Sequence, residues 1–293
     1  MKKEWLIKTI AIGIILLFIC MSINSSTAVD NIKKSSTPIF NGNTLYVGGS
    51  GEGNYSKIQD AVDNASGGDS VFVFDDSSPY YENVVIDKSI SLIGEDKNTT
   101  VIDGNEFDCV IKLIADEIKI SNFTIQNAGS NVDLAGIYIN SNTNIISNNK
   151  ITSNSLDGNA YGVLILDNSN HNSIINNIIQ KSYYAGIEIR HSNNTILSNN
   201  YFTDNIQGSI LIGFESFNNI IINNTIKDYI CLIFFESFNN SIIRNHFINL
   251  GYALIFTNSG DNIITENNFI IQSENIPRIL IRNTLLYLND SMV

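Results

Sequence analysis

Glu188 and Arg190 stand two residues apart in the segment Ile187-Glu188-Ile189-Arg190. On a β-strand that spacing puts both side chains on one face. An acid beside a base on an outer sheet face is the chemistry with which a protein can grip or protonate a sugar. Tyr138 and Leu164 hold the equivalent place in the two preceding apolar segments. Tyr138, Glu188 and Arg190 are therefore the candidate binding residues, with an exposed ion pair as the simpler alternative. Glu215 and Glu236 sit at the head of two identical Glu-Ser-Phe-Asn-Asn stretches. In register on adjacent strands their carboxylates would lie about 5 Å apart, which suits Ca²⁺ as a cofactor or a retaining glycosidase pair. Asn258 fills the next rung, and no Arg or Asp gathers around them, so solvated decoration of a repeat is the plainer alternative. No catalytic residue is assigned. His171, His191 and His246 fall at different places in the pattern and form no metal triad. Phe214 with Phe235, and Phe217 with Phe238, are expected to stack for structural reasons.

What positions these residues is a repeat. Asn144, Asn172, Asn194, Asn219, Asn240 and Asn262 each have Ile two residues later, Asn five later and Ile, Tyr or Phe seven later. The copies are spaced by 28, 22, 25, 21 and 22 residues. A diverged copy begins at Ile118. Each copy follows a second short apolar segment, from Ile137-Tyr138-Ile139 to Ala253-Leu254-Ile255. Alternation over only three to five residues means very short strands with one buried face. Coils of that length, stacked at about 4.8 Å, bury a shared apolar column and pair each strand with the coils above and below. Asn fits the corners because it tolerates left-handed backbone and its amide can both give and accept a bond in a stacked column. A leucine-rich repeat would need Leu columns and a helical segment per repeat, which are absent here. The expected fold is all-β, a right-handed single-stranded parallel β-helix over residues 44–272.

The ends depart from the repeat. Lys2, Lys3 and Lys8 precede an apolar run from Ile10 to Ile23, and Ser26-Thr27-Ala28 offers a cleavage site. Residues 1–28 thus predict a secretory signal peptide and a secreted or cell-surface protein, a retained anchor being the rival. Residues 29–43 form a polar leader. Ser56 and Gln59 suggest a capping box opening a short helix, with Ile58, Ala61, Val62 and Ala65 on its apolar face, that caps the first coil. Residues 273–293 are expected to form a C-terminal cap folded back on the last coils, or else one irregular last coil. The fold-back follows from an apolar strip of Leu211, Leu232, Phe234, Leu254 and Phe256 expected to face outward, which could otherwise support self-association. Cys109 and Cys231, five coils apart, are expected to be unbonded, with Cys231 inward and Leu232 outward.

The 293 residues carry 17 basic and 29 acidic side chains, a net charge of −12, and 44 asparagines cover the surface in place of charge. Without a basic stripe the chain is a poor match for nucleic acid, whose phosphates must be neutralised.

Leu45 to Gly104, with Ile58-Gln59-Asp60-Ala61-Val62, Gly68-Asp69-Ser70-Val71 and Ile90-Ser91-Leu92-Ile93-Gly94, resembles the opening turn of pectin-lyase-like proteins. The ladder that follows is similar to the repeat of the NosD-like family and of archaeal cell-surface β-helix proteins. The resemblance spans residues 45–272 and implies the fold. It also implies an exported scaffold or binding protein directed toward carbohydrate or envelope components. A second implication is a polysaccharide-active lyase, hydrolase or epimerase. A third is a NosD-like accessory protein in copper-site assembly, although after residue 28 the only soft ligands are Met292, Cys109 and Cys231.

Overall fold

In a computed structural model the chain is described over residues 42–289, except 153, 155–159, 250, 272–278 and 283–285. The signal segment and nearly all of the polar leader lie outside the described residues. Among the described residues every strand pairs in parallel, and these strands fall into three sheets of eleven, nine and nine. One coil shows how the chain travels. Ile145–Ser147 lies in the first sheet, Lys150–Thr152 in the second and Tyr161–Ile165 in the third, and Ser173–Ile175 then returns to the first. This is a β-helix, and parallel crossovers of this kind wind right-handed.

The core is a set of stacked columns. Leu92, Ile120, Ile146, Ile174, Leu197, Ile221, Ile242 and Ile264 rise through the first sheet, all fully buried. Phe234 stacks on Phe256 at 4.7 Å and Phe247 on Phe269 at 4.9 Å, so aromatic rows continue the aliphatic ones. Each fully buried side chain of this size contributes about 1.5–3 kcal/mol.

The register differs from the sequence pattern at the third copy. Ile174 pairs with Leu197, not Ile196, and Ile179 with Phe202, not Tyr201. The ladder residues there are Thr195 and Asn200, one later than Asn194 and Asn199. Corrected spacings are 28, 23, 24, 21 and 22 residues. A slip of one residue exchanges the two faces of a strand; hence Phe202 is buried while Tyr201 is 39% exposed.

The corner asparagines divide their two tasks between neighbours. Left-handed backbone falls on Asn148, Asn176, Asn199 and Asn223 (φ 54–57°). The residue after each one, Asn149, Asn177, Asn200 or Asn224, buries its amide. In that column the backbone N–H and Nδ2 of each Asn donate to Oδ1 of the next, from Asn149 through Asn177, Asn200, Asn224 and Asn245 to Asn267. A second column joins Asn144 to Asn172, and Asn219 through Asn240 to Asn262. A third passes from Asn205 to Asp228. These bonds satisfy buried corner amides that would otherwise cost about 1–3 kcal/mol each.

The helix Ile58–Asn64 buries Ile58, Ala61 and Val62 over the first coil, as the pattern indicates. Its start is held differently from a capping box. No side chain caps it locally; the Glu82 carboxylate accepts from Ile58 N–H at 2.8 Å and Gln59 N–H at 2.9 Å. Gln59 turns instead to the next coil, accepting from Val85 N–H at 2.8 Å.

The outward apolar strip does not form. Leu232 pairs with Ile210 and Phe234 with Ile212, both inward positions, and Leu254 and Phe256 stack on them. All four are fully buried; only Leu211 of the expected strip lies outside the core. Cys231 and Leu232 both join the core, so the expected alternation at this pair is also wrong. Five successive apolar residues, Cys231 to Phe235, gave no alternation from which to choose a face. At the far end Ile279–Arg282 pairs with Tyr252–Thr257, and Leu286–Asn289 with Asn262–Thr265. The described part of the C-terminal segment therefore adds another coil in register, in place of a fold-back.

Candidate functional site

The outer face of the third sheet carries Lys112, Tyr138, Leu164, Glu188 and Leu211 in one column, paired rung by rung. Tyr138 and Glu188 are thus where the sequence places them, two rungs apart. At the start of these strands Gly136, Gly162 and Gly186 stack. A Cβ on Gly162 would lie 2.4 Å from Gly186 O, so only glycine permits this approach. The preceding residues Ala135, Tyr161 and Ala185 gather with Leu164 and Leu166 in an apolar cluster separate from the core, and Tyr138 and Tyr184 pack against it.

This cover buries Glu188 to 1% exposure. Arg190 meets it side-on, Nε to Oε1 and Nη2 to Oε2 both at 2.7 Å. Nη1 donates to Asp133 Oδ1 at 2.7 Å, and Nη2 also to the Tyr161 hydroxyl at 2.5 Å. The guanidinium lies 5.4 Å from the Tyr161 ring centre and 5.9 Å from that of Phe214. Burial works against its charge, but Glu188 and Asp133 outweigh burial and hold Arg190 above its ordinary range. Burial, then the Glu188 charge, push the Tyr161 phenol far up, so it stays protonated. The expected exposed ion pair instead joins a buried carboxylate to a partly exposed guanidinium, within a network that includes two residues the sequence did not suggest. Asp133 lies 57 residues before Arg190. The available signal was coil length: the coils containing Asp133 and Tyr161 run to 26 and 28 residues against 21 or 22 later, which leaves chain to cover the outer face.

Glu215 and Glu236 do lie on adjacent coils, with Glu215 N–H donating to Glu236 O at 2.8 Å. Both have left-handed backbone, φ 60° and 50°, as does Asn258 on the next rung. Two carboxylates are far short of the six to eight oxygens that Ca²⁺ takes. Among the described residues no group of three or more His, Cys, Asp or Glu is placed to hold a metal. Phe217–Phe238 stack as expected, at 21° with ring centres 5.8 Å apart, whereas Phe214–Phe235 meet edge to face, at 62° and the same separation. Cys109 and Cys231 are buried and not disulfide-bonded.

A sequence profile described as a right handed beta helix region matches residues 109–270, more than half of the chain. No curated protein matches the sequence. Among solved structures, that of pectate lyase Pel9A is similar with a TM-score of 0.57 at 14% identity, over 84% of this chain and 77% of that one. The GH136 lacto-N-biosidase from Eubacterium ramulus gives 0.53 at 12%, over 84% and 68%. The enzymatically active domain of tailspike protein 2 from bacteriophage CBA120 gives 0.50 at 14%, over 76% and 41%. At such identities the likeness is one of fold. The profile match and the three-sheet solenoid agree, and the chain belongs to the right-handed β-helix family.

Proposed function

We propose that this chain is an exported β-helix scaffold or binding protein of the cell surface or extracellular space, directed toward carbohydrate or other envelope components. Export rests on the basic, apolar and small-residue sections of residues 1–28. The observation that carries the scaffold reading is the closure of the outer site. All three guanidinium nitrogens of Arg190 are bonded to Glu188, Asp133 and Tyr161. Four of its five N–H donors are thereby taken, leaving a single Nη1 N–H, too few for the two-pronged grip on a substrate carboxylate, and a strongly acidic chain repels polyanions. A glycan array tests binding, with failure on every immobilised glycan counting against the reading.

A second reading, a polysaccharide-active lyase, hydrolase or epimerase, draws on the same cluster. A buried acid, an Arg and a Tyr on the outer face of a β-helix are parts such chemistry uses. It requires Arg190 to leave Glu188. Reducing-sugar and unsaturated-product assays on uronate polymers decide between the two: turnover would replace the scaffold reading with the enzyme.

A further inference from the structure

We propose that a cleft at the N-terminal end of the solenoid binds a protonated amino sugar. This deepens the carbohydrate reading above and rests on it. The cleft lies far from the Glu188–Arg190 network, among the first coils, and has a volume of about 490 Å³. That is within the range of small-molecule sites, about 300–1,000 Å³.

One wall is aromatic, made by Tyr46 and Phe74, with Phe72 packed against both from outside the cleft. Tyr46 and Phe72 are neighbours across the first two strands, and Phe74 follows where the second strand ends. The Tyr46 ring lies 6.0 Å from Phe74 at an interplanar angle of 24°, and 6.2 Å from Phe72. Tyr46 remains 44% exposed, a ring face turned to solvent on a rigid sheet. The backbone of its neighbour Phe74 is held in turn: the Tyr80 hydroxyl donates to Phe74 O at 2.7 Å. Facing it is a glycine loop. Gly49 has φ 71°, and a Cβ there would strike the Phe74 ring at 2.8 Å. Asn54 Nδ2 ties the loop down by donating to Gly48 O at 2.6 Å.

The rim is acidic: Asp75, Asp76 and Glu95. Asp76 Oδ1 accepts from Gly49 N–H at 2.9 Å, and Glu95 Oε2 from Asp75 N–H at 3.1 Å. Each therefore keeps one oxygen free of backbone. The Asp75 carboxylate has no hydrogen-bond partner among the described residues. Among the described residues no Lys or Arg lines the cleft to serve the three charges as a counter-ion.

Aromatic faces take the C–H face of a sugar ring, and a cation over such a face gains further. Uncompensated carboxylates accept from hydroxyl and ammonium groups and repel uronates. A hexosamine with a free amine meets all three demands. A neutral sugar leaves the charges unmatched, and a bare lysine lacks a ring to stack.

Titration calorimetry of the purified protein with glucosamine oligomers tests this, beside N-acetylglucosamine oligomers, oligogalacturonate and oligolysine. Binding of the glucosamine oligomers is expected, at least ~10-fold tighter than for the acetylated ones, as a lost cation contact would give. Oligogalacturonate should not bind, and Tyr46→Ala and Asp75→Asn should each weaken binding with unchanged unfolding midpoints. Equal affinity for acetylated oligomers or for oligolysine would overturn the assignment, as would variants that bind normally. Should a glycan array find another ligand whose binding these variants leave intact, the carbohydrate reading stands and this site is rejected.

Discussion

Arg190 meets both carboxylate oxygens of Glu188, two residues earlier on its own strand, at 2.7 Å each. With Glu188 only 1% exposed, this pair cannot be treated as surface decoration. Removing the cation alone strands a buried carboxylate. Arg190→Ala is expected to cost about 3–5 kcal/mol in chemical unfolding. Replacing both partners by Leu, the residue found at Leu164 and Leu211 in the Glu188 column, should recover most of that loss. An Arg190→Ala variant as stable as the parent would mean that the network carries no strain when opened, and would favour the enzyme reading.

Asp228 gives the fold a pH dependence. Burial pushes its carboxyl up to about 6, although bonds from Ser209 and Asn205 pull the other way. The folded chain thus holds this proton more tightly than the unfolded one, where it leaves near 3.8. Its contribution is complete below that lower value and is lost as pH rises through about 6. The loss is on the order of 2–3 kcal/mol. Asp228→Asn should abolish this slope and unfold at higher urea at pH 7. A difference between variant and parent that stays constant from pH 4 to pH 7 would refute the assignment.

Thr195 interrupts the second asparagine column between Asn172 and Asn219. Its N–H still donates to Asn219 Oδ1, but its own buried hydroxyl finds no partner. Thr195→Asn should join the two halves and stabilise the chain by about 1–2 kcal/mol. Urea midpoints will show it; a lower midpoint would mean that the corner has no room for the amide.

Cys109 and Cys231 should behave as inert apolar fillers. Burial raises the Cys109 thiol to about 11, which keeps it protonated at neutral pH. In native buffer neither should take up a thiol reagent, while in denaturant both should, as read by intact mass. Native labelling of Cys231 would show that the third-sheet register around Leu232 is wrong.

The period, the columns and the helix face were legible because stacking demands the same residue type at the same place in every coil. Register was legible only where polar and apolar residues alternate. At Asn194-Thr195 the asparagine that fits the repeat yields the ladder position to its neighbour, at Asn199-Asn200 two asparagines compete for one, and Ile196-Leu197 and Tyr201-Phe202 offer an apolar residue on either face. Nothing local chooses between them; pairing with Ile174 and Ile179 does. The same holds for Cys231 to Phe235. Glu188 and Arg190 were visible as a pair, but their burial was not. Burial comes from the cluster of Tyr161, Leu164, Ala185 and their neighbours on adjacent coils, brought together only by the stacking of whole coils.

Every side-chain carbonyl in the longest asparagine column points the same way. Asn149 Oδ1 accepts from Phe123 N–H, and so on upward to Asn267 Oδ1, which accepts from Asn245. Backbone bonds between parallel strands run in both directions and largely cancel; these do not. Six aligned amides, each with a dipole of about 3.5 D, make the solenoid an electrically polar rod with its negative pole toward the first coils. Two such rods lying side by side lower their field energy when antiparallel, and end to end when arranged head to tail.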